Sequence, residues 1–230
     1  MSAEGVVLVH GGLHTSTCWS AVVPYLTMPV VAVDLPGRGR RPADLATVTV
    51  EDCVQAVIES ADEAGFDRFV LVGHSLGGVT VTETAWRYPQ RVAKLIYVAA
   101  LVPAPGANAS SVAYGVDLPP GEFAVDDEDL ARSVLGNDLS DEQWAVYWHS
   151  MVPDAANIMN ARLSGYPSGL PITYVSMSDD IPLPPAVAEQ MIANLGAGVE
   201  HHVLSAGHSV MMSKPLELAT IINEVATPDR

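Results

Sequence analysis

Short, unbroken apolar runs recur along the chain, separated by segments whose apolar residues fall three or four apart. The runs are Val6 to Val9, Val30 to Val33, Phe69 to Val72 and Leu95 to Leu101, and two further strand candidates, Ile172 to Met177 and Val199 to Leu204, carry polar residues among the apolar ones. Runs of this length without polar alternation predict strands of a parallel sheet covered on both faces. The helical spacing predicts helices between them. One runs from Cys18 or Trp19 to Leu26, behind a polar bend, Thr15-Ser16-Thr17, that can cap it. A second opens at Thr49-Val50-Glu51-Asp52, turns Val54, Val57, Ile58 and Ala61 inward and stops at Gly65. A third carries Val79, Val81, Ala85 and Trp86 as far as Tyr88-Pro89. Two more cover Ala186 to Leu195 and Pro215 to Val225. Strand and helix alternate, so the chain reads as an α/β fold, a mostly parallel sheet with helices on both faces and right-handed crossovers.

Between Pro103 and Pro171 the alternation breaks. An acidic start at Asp126 to Asp129 predicts a helix through Leu135, and Ser140-Asp141-Glu142-Gln143 reads as a cap ahead of Trp144-Ala145-Val146-Tyr147-Trp148. No sheet strand is expected there. Residues 103–170 are therefore read as a helical cap inserted in a core of 1–102 and 171–230. Ordinary packing between cap and core accounts for most of Trp144, Tyr147, Trp148, Met151 and Met159. Taken together over a sheet edge, such residues predict an apolar pocket, with Trp144, Trp148 and Met151 as candidate contacts.

Composition narrows the class. The 230 residues are 49% hydrophobic and 17% charged, which suits one compact α/β domain with an insertion. A net charge of −16 argues against nucleic acid or anionic membrane as a partner and disfavours polyanionic substrates; a homodimer is compatible with it. No run is long enough to span a bilayer. Met1-Ser2-Ala3-Glu4 leads straight into the first strand with no basic leader, so a cytoplasmic location is expected. Cys18 and Cys53 make neither a disulfide framework nor a metal spacing. With no metal cluster, phosphate-binding loop or dinucleotide fingerprint, no cofactor is expected.

The chemistry centres on Gly73-His74-Ser75-Leu76-Gly77, placed between the third strand and its helix. A Gly-x-Ser-x-Gly turn in that position is a nucleophile elbow: it lifts the serine hydroxyl above the carboxyl edge of the sheet, at a helix N-terminus. A serine needs a base, and the base needs an acid that fixes its tautomer. Of seven histidines, His208 sits on a loop just after the last strand, where it can reach Ser75. His201 and His202 lie in that strand, and His149 lies in the cap. His10 and His14 follow the first strand and suit the oxyanion loop or substrate contact. His74 flanks the nucleophile but points away. The acid belongs after the preceding strand, where both Asp179 and Asp180 qualify. The oxyanion donors are the N–H groups of Leu76 and, best placed in the first loop, Gly12.

These motifs together resemble the α/β-hydrolases, and more narrowly the branch of plant methylesterases, hydroxynitrile lyases and small bacterial carboxylesterases. The shared residues are His10-Gly11-Gly12 with Trp19 downstream, Asp34-Leu35-Pro36-Gly37-x-Gly39, Gly73-His74-Ser75-Leu76-Gly77-Gly78, Asp180 ahead of Pro184-Pro185, and Gly207-His208. The chain departs from that branch in one extra residue between His14 and Trp19. The resemblance implies Asp180 as the acid, a Ser75–His208–Asp180 triad, and hydrolysis of a carboxylic ester or lactone of a moderately apolar small molecule. Gly11 and His14 join the candidate pocket. A carbon–carbon lyase shares these residues, and a hydrolase-like ligand receptor is the non-enzymatic alternative. Lyases of the branch carry a lysine after the histidine, where this chain has Ser209. Many have a threonine where it has Gly11, and an acidic residue where it has His74; all three differences imply an esterase.

Overall fold

The computed structural model describes residues 4–227, so the expectation for Met1 to Ala3 lies outside it. In chain order the elements are β1 (Gly5–Val9), β2 (Val30–Val33), α1 (Val50–Glu63), β3 (Phe69–His74), α2 (Gly77–Arg87) and β4 (Val92–Val98). Then come α3 (Ala109–Tyr114), β5 (Glu122–Phe123), α4 (Glu128–Leu135), α5 (Asp141–Ser150), β6 (Asp154–Ala155) and α6 (Ala156–Asn160). The chain finishes with β7 (Ile172–Met177), α7 (Pro185–Leu195), β8 (Glu200–Leu204), α8 (Val210–Ser213) and α9 (Pro215–Ala226). The main sheet has the order β2-β1-β3-β4-β7-β8, and every neighbouring pair runs parallel.

Side chains alternate across this sheet with the period of two that a strand imposes. Val7, Val9 and Leu71 face α1, α2 and α7 in one core layer; Val6, Leu8, Val70 and Val72 face Trp19, Val22 and α9 in the other. The inner strands β1 and β3 are buried between these layers, which is why they read as continuous apolar runs, whereas the edge strand β8 leaves Glu200, His201 and Val203 exposed. The Thr49 side chain and Asp52 form a reciprocal cap at the start of α1.

Three local expectations are corrected. The segment after Thr15 forms two short 3₁₀ turns, Ser16–Trp19 and Val23–Tyr25, in place of one helix to Leu26. Pro24 lacks the N–H that a continuing helix would use. Strand β4 begins at Val92 and ends at Val98, because Ala99 takes a positive φ of 43° and the chain turns under Ser75, where Leu101 N–H donates to the Ser75 carbonyl. Finally, the segment between β4 and β7 holds a two-residue antiparallel pairing, Glu122 with Ala155 and Phe123 with Asp154, alongside its helices.

This inserted segment lies over the carboxyl ends of the strands. Val152 N–H donates to the Leu13 carbonyl beyond β1, Asn137 donates to the Asp179 carbonyl beyond β7, and Asp138 accepts Gly207 N–H beyond β8. Among the described residues, no helix is long and apolar enough to cross a membrane.

Candidate active site

Strand order reverses at β1: its partner β2 lies on one side and β3 on the other. Open parallel sheets place ligands in the crevice outside the carboxyl ends at such a point. Ser75 follows β3 there with φ of 50°, a left-handed conformation that costs a non-glycine residue roughly 1–3 kcal/mol. Three backbone hydrogen bonds hold it: its N–H donates to Val98 O, and its carbonyl accepts from Gly78 N–H and from Leu101 N–H, each at 2.9 Å. The close crossing of α2 over β1 requires glycine, since a Cβ on Gly77 would lie 2.6 Å from the His10 carbonyl oxygen.

His208 reaches the serine from the loop after β8, with Nε2 2.9 Å from Ser75 Oγ. Its Nδ1 lies 2.9 and 3.1 Å from the two Asp180 oxygens. An ionised carboxylate only accepts, so Nδ1 carries the proton and Nε2 is free to accept from the serine hydroxyl. Asp180 is 4% exposed and also accepts Leu183 N–H at 2.8 Å, which ties it to the start of α7. Asp179 is exposed and turned elsewhere, with its carboxylate on Ser178 Oγ. His74 turns away from the hydroxyl, yet it is not a bystander. Its Nε2–H donates to the His208 carbonyl at 3.0 Å, and burial first, then the nearby His208, hold its pKa well below the usual histidine value. A neutral imidazole thus holds the backbone of His208. Sequence reasoning missed this role, for nothing in a His-Ser pair signals it.

The first loop is equally organised. Leu35 N–H donates to His10 Nε2 at 3.2 Å, so His10 Nδ1 is protonated and donates to the Gly11 carbonyl at 2.7 Å. Burial, reinforced by Arg38, lowers the His10 pKa to about 3, so this neutral tautomer persists. In a trans peptide the next N–H points opposite to that carbonyl, which turns Gly12 N–H away from His10. Gly12 and Leu76 adjoin one another, since a Cβ on Gly12 would sit 3.3 Å from Leu76 Cδ2. No backbone hydrogen bond among the described residues uses the N–H of either.

A cavity of about 380 Å³ opens above Ser75, His208, Gly12 and Leu76. Its cap wall is apolar, with Val112, Phe123, Leu130, Leu135 and Met159 among the residues that form it. His14 lines it as expected. It packs edge-on against Tyr147 at 4.4 Å, and its pKa falls to about 4 through burial and then the charge of His208. Neither ring nitrogen has a hydrogen-bond partner among the described residues.

Four candidate contacts lie elsewhere. Gly11 sits behind Ser75, where a Cβ would come within 2.9 Å of Ser75 Cβ and 2.8 Å of His74 Nδ1. Trp144 is buried inside the cap, stacked on Tyr147 and Trp148, with its indole N–H on Glu128. Trp148 and Met151 pack against the same cluster. Only Tyr147 of that aromatic group faces the cavity, because α5 uses its other aromatics to close the small core of the cap.

A family model described as the alpha/beta hydrolase family matches residues 6–221. A pyrethroid hydrolase of Sphingobium wenxiniae is 28% identical over 253 residues, spanning 98% of this chain and 89% of its own. Methylesterase 7 of Arabidopsis thaliana is 27% identical, over 96% of this chain and 95% of its own. The solved structure of a pyrethroid hydrolase from Sphingobium faniae superposes with a TM-score of 0.80 at 27% identity, covering 96% of each chain. Polyneuridine aldehyde esterase gives a TM-score of 0.81 at 20% identity, over 96% of this chain and 98% of its own, a likeness of fold alone.

Proposed function

The chain belongs to the alpha/beta hydrolase family, and from that premise we propose that it is a serine carboxylesterase acting on neutral, largely apolar esters. The observation that carries this reading is the continuous chain of contacts from Ser75 Oγ through His208 to Asp180 at the floor of an apolar cavity. Relatives named as a pyrethroid hydrolase and methylesterases support ester hydrolysis as the class.

Ser75 Oγ attacks the ester carbonyl while His208 Nε2 takes its proton. The carbonyl oxygen gains the charge and is met by the N–H groups of Gly12 and Leu76. Collapse breaks the bond to the alcohol, which leaves with the proton from His208 and gives an acyl-Ser75 ester. Water then attacks the acyl carbonyl, giving its proton to His208, and the acid departs as the proton returns to Ser75. Asp180 keeps His208 in the right tautomer and stabilises its charged form. Among the described residues no Asp, Glu, Lys or Arg side chain lines the cavity, so charged acyl or alcohol groups pay a desolvation penalty there.

The lyase alternative needs a cation beside departing cyanide. Ser209 instead donates to the Leu135 carbonyl at 2.6 Å. Lys94 and Lys214, the only lysines, reach Thr227 O and Glu217. A fluorophosphonate probe should label Ser75, and p-nitrophenyl esters of graded chain length should be hydrolysed; Ser75→Ala should remove both, lowering turnover by about a million-fold. A Ser75→Ala variant that keeps turnover rules the mechanism out. A labelled protein that hydrolyses none of the esters would point to the receptor.

A further inference from the structure

Asp154 belongs to the inserted segment, in β6, yet its carboxylate lies against the loop after β1. Oδ2 accepts Leu13 N–H at 2.9 Å, Oδ1 accepts Ala155 N–H at 2.7 Å, and the Arg38 guanidinium pairs with Oδ1. Both charged side chains are 1% exposed. In return, the Leu13 carbonyl accepts Val152 N–H at 2.9 Å. Residue 13 is thus gripped on its N–H and on its carbonyl by the cap, and it is held in a left-handed conformation, φ 64°, that leucine avoids.

Gly12 stands between two anchors. His10 fixes the peptide on one side of it, and this clamp fixes the residue on the other. A Cβ on Gly12 would lie 3.5 Å from Asp154 Oδ2, so the carboxylate is in contact with the oxyanion loop itself. The clamp requires a carboxylate. Three donors converge on it, and an asparagine amide offers one acceptor oxygen and turns an N–H₂ toward the rest. Arg38 supplies the opposite charge: burial disfavours its charged form, and its guanidinium also lies 3.9 Å from the Cys53 sulfur.

We propose that Asp154, with Arg38 as its counter-ion, is a positioning residue for the oxyanion hole, acting through Leu13 to hold Gly12 N–H toward the developing charge. This rests on the esterase reading above, and it makes the cap part of the catalytic geometry as well as the roof of the pocket. A buried ion pair that served only to join cap and core could be replaced by neutral residues at little cost in stability. A pair that aims a backbone donor could not be so replaced without loss of turnover.

The test compares the unaltered protein with Asp154→Asn and with the double variant Arg38→Met/Asp154→Asn, which leaves no unpaired buried charge. Three readouts are taken: Tm, kcat and KM for p-nitrophenyl butyrate, and amide exchange at Gly12 and Leu13 by NMR. The single variant should lose Tm, and the double variant should regain most of it. In the double variant kcat should stay about 10- to 100-fold down with KM changed about 2-fold or less, because the oxyanion forms only in the transition state. Leu13 exchange should quicken about 10-fold or more. A double variant with native kcat, or with Leu13 exchange unchanged, overturns the proposal. Should the unaltered protein hydrolyse no ester, the esterase reading falls by itself, while Leu13 exchange still shows whether Asp154 holds the loop.

Discussion

Mild acid should destabilise this protein well above the pH at which its carboxylates titrate. His10 and His14 are buried and neutral, with pKa values lowered from 6.5 to about 3 and about 4, chiefly by burial. Arg38 near His10 and His208 near His14 push the same way. His74 is lowered too, first by burial and then by His208. In the unfolded chain each imidazole takes a proton as the pH falls through about 6.5; in the folded protein it waits until far lower. Below that pH the unfolded state therefore binds more protons, and stability falls as pH falls toward the folded values. From about pH 7.5 to about pH 5 each of His10 and His14 removes roughly 2 kcal/mol, or roughly 4 kcal/mol for the two, with His74 adding in the same direction. That is a large share of the roughly 5–15 kcal/mol by which a domain is stable. Burial raises the Asp34 pKa, but hydrogen bonds from Arg40 and Ser16 outweigh it and bring the value to about 2. Its own contribution is thus lost only below about pH 4, outside this window. Urea midpoints measured at steps from about pH 7.5 to about pH 5, at fixed ionic strength, read the effect. Replacing His14 by Phe should remove about one proton from the slope, about 1.4 kcal/mol per pH unit. Midpoints that stay level across the range, or a His14→Phe slope equal to that of the unaltered protein, refute the reasoning.

Asp180→Asn should lower kcat by about 10⁴-fold, because the amide favours the wrong His208 tautomer, whereas Asp179→Asn should change it less than about 3-fold; the reverse ranking would reassign the acid. Mandelonitrile and p-nitrophenyl acetate assayed side by side should show ester turnover and no useful cyanide release, and faster cyanide release would reverse the choice between esterase and lyase. Gly77→Ala should cost roughly 1–3 kcal/mol by pushing α2 off the His10 carbonyl; an unchanged Tm would show that the crossing has slack.

The main sheet and the turn that raises Ser75 were legible in the chain because their signals are local. An unbroken apolar run marks a strand covered on both faces, and glycines flanking a serine mark a sharp strand-to-helix turn wherever they occur. The loops that carry Asp180 and His208 were legible for a related reason: each follows a recognisable strand. The errors also have local causes. Pro24 sits inside what the spacing read as one helix, and the positive φ of Ala99 ends β4 at Val98, inside the apolar run to Leu101. The cap tryptophans were offered as pocket residues from composition, and composition does not say which face of α5 closes the small core of the cap.

Residue types and their spacing thus determined the parallel sheet, the turn at Ser75 and the loops that carry Asp180 and His208, since these depend on local backbone preference and periodicity. Which side chains line the cavity, how His74 holds the His208 backbone and how Asp154 grips the loop after β1 were decided only by the tertiary structure. His74 reaches His208 across 134 positions and Leu13 reaches Asp154 across 141, so each contact exists only once the cap and the last loop have folded down over the sheet. A buried polar group finds its partner by proximity in space, and periodicity along the chain carries no record of that.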